Sequence, residues 1–189
     1  MAMPAAAPVT TIEQLLALPE DALRHELLDG VHVVTPAPEL PHQALVRAFA
    51  VALLPALTDR PDLELLWSPA DVVLGARALV QPDLFVVRKA PGQVLRSWKE
   101  AGVPVLALEV LSPATAARDR GEKRRLYQRA GVAGYWIVDP DARLVERWRP
   151  EDVRPEVLSD DLVWVPAPRA APVTIELADL FAAVLGPVA

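Results

Sequence analysis

The chain has 189 residues, 52% of them hydrophobic, a net charge of −6 and no cysteine. That length suits one domain with its own core, and no Gly/Ser-rich linker divides it, so residues 1–189 are read as a single domain with a flexible tail over 1–9. The missing cysteines exclude a disulfide scaffold, a zinc–thiolate centre and a thiol nucleophile, and the negative charge argues against wholesale polyanion binding while leaving room for a local basic face.

Taken in order, "TTIEQLLALPED" opens with a capping Thr10 or Thr11 and carries Ile12, Leu15 and Leu16 at helical spacing, a short helix stopped near Pro19. "HELLDGVHVV" places Asp29-Gly30 between two apolar-containing runs, the strongest hairpin signal in the chain. "LPHQALVRAFAVALLPAL" is a helix by length and period, with Leu45, Phe49, Ala52 and Leu53 on one face. After Pro61 come short β-prone runs, "LELLW", "DVVLG", "DLFVV" and "VPVLALEV", separated by Pro and Gly. "TAARDRGEKRRLYQRAG" returns to a helix closed by Gly131, and "GYWIVD" and "RLVERWR" are two strands around a turn at Pro140. A Pro-rich, acidic stretch from Glu151 to Asp161 precedes a last short helix, "IELADLFAAVL". A strand, a helix and a strand in succession across residues 105–139 form a right-handed crossover. The fold class is therefore α/β, bordering on α+β, with a mixed central sheet flanked by helices. No run of about 18 apolar residues and no leader-like start is seen, so a cytoplasmic protein without a membrane span is expected.

Few residues carry chemistry. Glu109 is the one charged residue of "VPVLALEVLSP", on a strand face shared with Val105, Ala107 and Leu111. An ionised carboxylate so placed needs a partner. Asp83 follows Pro82 at the start of an apolar run; a turn Asp beside a turn Pro is the commoner reason for that pair. If Asp83 and Glu109 lie on adjacent strands, about 4.8 Å apart, they repel unless a cation, a shared proton or a basic side chain intervenes. A divalent metal is the economical solution. On the following helix Asp119, Lys123 and Tyr127 are spaced by four and share a face, within a segment, 118–129, of local charge +4. Read alone, that helix is solvated, and its Asp119–Lys123 pair contributes roughly 0.3–0.5 kcal/mol. Glu26 in the hairpin reads equally well as an exposed strand residue and as part of a site. His25, His32 and His42 show no ligand spacing, which argues against a histidine-built zinc site.

In order, Glu26, Pro82-Asp83, Glu109 and Lys123 resemble the PD-(D/E)XK, or restriction-endonuclease-like, nucleases, and specifically a large bacterial branch of restriction endonuclease homologues. The matching phrases are "HELLDGVHVVTPAP", "PHQALV", "VQPDLFVV", "LEVLSPATAARDRGEKRRLYQRAGVAGYWIVDP" and "ELADLF", nearly the whole chain. The resemblance implies that Asp83 and Glu109 bind Mg²⁺ or Mn²⁺, with the Val110 carbonyl as a further oxygen ligand. The superfamily's usual Lys, two residues after the Glu, is replaced here by Leu111; the branch carries its Lys on the next helix, where Lys123 stands. Lys123 is then the third catalytic residue, with Glu26, Asp119 and Tyr127 supporting. The implied activity is metal-dependent hydrolysis of phosphodiester bonds in nucleic acid, expected to be DNA, by a homodimer or higher homo-oligomer. The rival readings are a catalytically silent DNA-binding or assembly module and, with less support, a metal-free paired-carboxylate hydrolase.

Overall fold

The structure, a computed structural model, describes residues 8–168 and 170–187, so residues 1–7 of the expected tail lie outside the described residues. In chain order the elements are α1 (Ile12–Leu16), β1 (Arg24–Leu28), β2 (Val31–Thr35), α2 (Leu40–Leu53), β3 (Leu63–Trp67), β4 (Val72–Gly75), β5 (Ala78–Val80) and β6 (Leu84–Arg88). They continue with α3 (Trp98–Ala101), β7 (Leu106–Val110), α4 (Ala116–Arg118), α5 (Arg124–Arg129), β8 (Gly134–Asp139), β9 (Leu144–Trp148), β10 (Glu156–Leu158), β11 (Asp161–Trp164), β12 (Val173–Glu176) and α6 (Leu177–Leu185).

Local chemistry explains the first elements. Thr11 and Gln14 form a reciprocal capping box at the start of α1. Asp29 and Gly30 both take positive φ, 52° and 85°, the type I′ geometry whose twist matches the flanking strands. β1 and β2 accordingly pair in strict register, Leu28 opposite Val31 through Arg24 opposite Thr35.

The strands form a six-stranded sheet ordered β10-β9-β8-β7-β6-β3, a four-stranded sheet ordered β2-β1-β5-β4 and a two-stranded ribbon of β11 and β12. Among the described residues the one parallel pair, β7 with β8, is joined by the expected crossover; the other pairs are antiparallel, so the class is α+β with mixed sheets. Alternation along the strands of the large sheet separates two cores. On one side Leu84, Val86, Leu106, Leu108, Val110 and Trp136 pack against Leu45, Phe49 and Leu53 of α2 and Phe181 of α6. On the other, Phe85, Ala107, Leu111, Tyr135 and Ile137 meet Leu126 and Tyr127 of α5 and the inner face of the small sheet, Leu28, Val33, Val72 and Val80. A third, small core of Leu15, Leu27 and Leu79 lies on the outer face of the small sheet.

Three features add detail to that reading. The small antiparallel sheet is separate from the large one: β1 pairs with β2 and β5, and Leu28, Val33, Val72 and Val80 pack against the large sheet while Arg24 and Glu26 enter the polar cluster. The crossover helix is not uniform: between α4 and α5, Asp119–Lys123 is a π-helical turn. Leu40–Leu57, α2 with the 3₁₀ turn after it, is long and apolar enough by length and composition to cross a membrane. Its Leu45, Phe49 and Leu53 pack on the sheet, as core-helix residues do.

Phe49 is fully buried between α2 and the large sheet. Phe49→Ala is expected to cost about 3–5 kcal/mol, a fall in Tm on the order of 10 °C for a chain of this size, measurable by thermal melting followed by circular dichroism.

Candidate active site

The inner face of β1, the start of β6, the end of β7, the first turn of α2 and the π-helical turn converge on one buried polar cluster. Glu26, Asp83, Glu109, Asp119 and Lys123 are each only 2% exposed. β7 carries Glu109 into the cluster because its neighbours in the alternation, Ala107 and Leu111, face the small sheet and α5. Leu111 is committed to that core, so the cation comes from elsewhere. The Nζ of Lys123 lies 2.6 Å from Glu109 Oε1, 2.9 Å from Glu26 Oε1 and 3.9 Å from Asp119 Oδ1. The Tyr127 hydroxyl donates to Glu109 Oε1 at 2.9 Å, and the Gln81 backbone N–H donates to Glu26 Oε1 at 2.7 Å. Asp119 and Lys123 are thus a buried pair inside a larger network, and not the solvated surface pair their spacing suggested. The π turn matters here, since its wider geometry is tolerated in short pieces and often found at functional sites. The hydroxyl of Tyr135 donates to the Asp119 carbonyl within the turn at 3.1 Å.

Asp83 has a different set of partners. Its Oδ1 accepts from Arg24 Nη2 at 2.8 Å. Its Oδ2 accepts from the Val110 backbone N–H at 2.8 Å and lies 3.0 Å from His42 Nε2. The structure therefore shows Val110 bonding through its amide to Asp83. The Nδ1 of His42 is buried without a hydrogen-bond partner among the described residues. Sequence reasoning passed over Arg24 altogether and weighed His42 only as a zinc ligand. Arg24 could have been found from strand alternation, since it lies two residues before Glu26 and so on the same face. His42 had only its place in the "PHQALV" phrase.

The electrostatics follow from burial and count. Four buried carboxylates (Glu26, Asp83, Glu109 and Asp119) face two permanent cations, Lys123 and Arg24. Burial would lift Asp83, but the His42 hydrogen bond, the Arg24 charge and the Val110 amide outweigh it and hold Asp83 at about 2. Glu109 goes the other way, to about 8: burial raises it, Lys123 opposes, and the neighbouring carboxylates Asp83, Asp119 and Glu26 add to the rise. Asp119 is raised chiefly by burial as well. Burial alone would lower Lys123, but Glu109, Glu26 and Asp119 more than reverse that, so the ammonium is kept.

The donors are hard oxygens and, with Glu109 ionised, carry a surplus of two negative charges, the chemistry that a hard dication such as Mg²⁺ or Mn²⁺ satisfies. By donor type the cluster fits such an ion. Among the described residues, though, no three His, Asp or Glu side chains are grouped as its ligands; binding requires Asp83 or Glu109 to give up contact with a cationic neighbour.

The basic segment 118–129 is less free than its charge suggests. Arg120 pairs with Glu146 and Asp139, Arg129 pairs with Asp29, and Arg124 lies over the Trp148 ring. Among the described residues, no ion pair involves Arg118 or Arg125.

A six-stranded mixed sheet with a buried acid–lysine cluster at one end defines a restriction-endonuclease-like protein, and comparison with known proteins agrees. The profile of the family described as "Uma2: Putative restriction endonuclease" matches residues 12–179, and the chain belongs to that family. A crystal structure titled as a putative nuclease belonging to DUF820, from Anabaena variabilis ATCC 29413, superposes with a TM-score of 0.73 at 21% identity, over 91% of this chain and 97% of that one. It shares the fold. No match was found among curated proteins.

Two outcomes are expected. Lys123→Ala leaves Glu26 and Glu109 buried without their shared cation and should destabilise the chain by about 3–5 kcal/mol in urea unfolding. The second concerns pH. Because the folded chain holds the Glu109 proton up to about 8 against an ordinary 4.5, this stabilising term is full below pH 4.5 and is lost as pH rises through 8. Without divalent ions, Tm should therefore decline between pH 5 and 9, and Glu109→Gln should flatten that slope; equal slopes in both proteins would contradict it.

Proposed function

We propose that this protein is a metal-dependent nuclease that hydrolyses phosphodiester bonds in DNA, with Asp83, Glu109 and Lys123 as its catalytic residues. The observation that carries the reading is the 2.6 Å contact between the buried Lys123 ammonium and Glu109. It joins the crossover helix to the end of β7, beside Asp83, in a chain of this family. Asp83 and Glu109, with the Val110 carbonyl, would hold Mg²⁺ or Mn²⁺, and Glu26 would support them. Such an ion lowers the pKa of a bound water and polarises the phosphoryl group.

The chain's own residues do the rest. Lys123 keeps its proton because three carboxylates face it, so it donates a hydrogen bond to the attacking water or to a non-bridging phosphate oxygen and offsets charge as it develops. Tyr127 fixes one oxygen of Glu109 through its hydroxyl. Arg24 and His42 set the direction of the Asp83 carboxylate from two sides. Arg118 and Arg125, free of ion pairs among the described residues, neutralise backbone phosphates, which makes binding salt-dependent. A homodimer acting on two strands and a cytoplasmic setting complete the reading.

Three measurements test it together. Mg²⁺ or Mn²⁺ should raise the Tm of the wild-type protein, and Asp83→Asn should abolish the rise. Cleavage of plasmid, single-stranded DNA and RNA should require metal, and Asp83→Asn and Lys123→Arg should each lower kcat on the order of a hundredfold or more with the fold intact by circular dichroism. Equal cleavage by wild type and both variants would assign the activity to a contaminant. Retained DNA binding with no metal shift and no cleavage would make the chain a silent DNA-binding module.

A further inference from the structure

The small sheet has a second face. β1 sends Arg24 and Glu26 toward the carboxylate cluster and His25 and Leu27 the opposite way. Leu27 marks that direction by packing with Leu15 and Leu79 in the outer core. The β1–β2 register places His32 opposite Leu27 and Val34 opposite His25, so the two imidazoles are diagonal neighbours on the outer face. Their rings stack with centroids 5.1 Å apart and planes 20° apart. His25 Nδ1 lies 2.9 Å from His32 Nε2, and His25 Nε2 lies 3.0 and 3.1 Å from the two oxygens of Asp21.

The hydrogen bonds assign one tautomer. An ionised carboxylate only accepts, so His25 carries its proton on Nε2 and donates it to Asp21, leaving the Nδ1 lone pair aimed at His32. An imidazole whose N–H is held by a carboxylate, with its other nitrogen presented, is the usual state of a metal-ligating histidine. Burial, and then the neighbouring His25, lower the His32 pKa, which keeps that ring neutral. By the same logic His32 donates its Nε2–H into that lone pair at 2.9 Å; when its proton moves to Nδ1, both nitrogens are free to face one ion. Two nitrogens on a tetrahedral ion, each at about 2.0–2.1 Å, stand about 3.3 Å apart, a small opening from the 2.9 Å seen. The His25 side chain is 21% exposed, so water has access.

We propose that His25 and His32 form a two-imidazole site for a borderline-soft divalent metal of the Zn²⁺ type, with Asp21 fixing the tautomer of His25. Among the described residues no third His, Asp or Glu completes a ligand group, so water fills the remaining positions. Imidazole selects Zn²⁺ and Co²⁺ over Mg²⁺, which separates this site chemically from the carboxylate cluster. A bound ion would tie β1 to β2 directly behind Arg24 and Glu26. The proposal does not depend on the nuclease reading.

The test is calorimetric titration of the full chain with Zn²⁺ at pH 7.5, with Co²⁺ absorption as a second signal. Wild type should bind one Zn²⁺ per chain outside the carboxylate cluster, with a rise in Tm that excess Mg²⁺ leaves in place. His32→Gln should abolish that binding, and Asp21→Asn should weaken it ten- to a hundredfold. Asp83→Asn should retain it. Melting curves of each variant without metal establish that it is folded. No Zn²⁺ heat and no Co²⁺ band in the wild type would overturn the proposal, as would Zn²⁺ binding that survives His32→Gln and is lost in Asp83→Asn.

Discussion

The ammonium of Lys123 holds together groups that would otherwise repel. Glu26 comes from the hairpin, Glu109 from the middle of the large sheet and Asp119 from the π turn, and all three are buried. Burying any of these carboxylates alone would cost several kcal/mol. With one ammonium at 2.6 and 2.9 Å from two of them, the small sheet, the large sheet and the crossover helix can close on a single point. Burial first, and then the neighbouring carboxylates, raise Glu109, and the surplus of acids makes the cluster a receptive place for further positive charge.

Asp83 is held by a complementary arrangement. Arg24 reaches it from the small sheet, His42 from the first turn of α2 on the other side of the large sheet, and the Val110 amide from β7. The two core layers therefore meet at this end of the sheet through one carboxylate. A cation entering such a cluster would compete with internal partners that are already bonded, so its affinity would be set by the difference between the two sets of contacts. β1 contributes twice, through Arg24 and Glu26, which makes the hairpin the wall whose position most directly affects both acids.

Several wrong expectations share one cause. The Asp119–Lys123 pair looked solvated because helical spacing shows which residues share a face and says nothing of what that face meets. Glu26 was ambiguous for the same reason on a strand. His25 and His32 seemed unrelated because a cross-strand diagonal depends on hairpin register and has no fixed separation along the chain. The arginines of 118–129 looked available until Glu146, Asp139, Asp29 and the Trp148 ring came to meet three of them.

What the chain makes legible by itself is local. The Asp29-Gly30 hairpin, the α2 pattern, the crossover between two apolar strands and the isolation of Glu109 all follow from periodicity, turn chemistry and the cost of a buried charge. Motif order then carries the family resemblance. Only the tertiary structure decides which cation reaches which acid: that Lys123 serves Glu109 and Glu26, that Arg24 and His42 serve Asp83, and that β1 belongs to a second sheet. Those pairings join residues 24 to 123 across five elements, and they are selected by how the layers pack, because Coulomb attraction and hydrogen bonding act over a few ångströms of space whatever the distance along the chain.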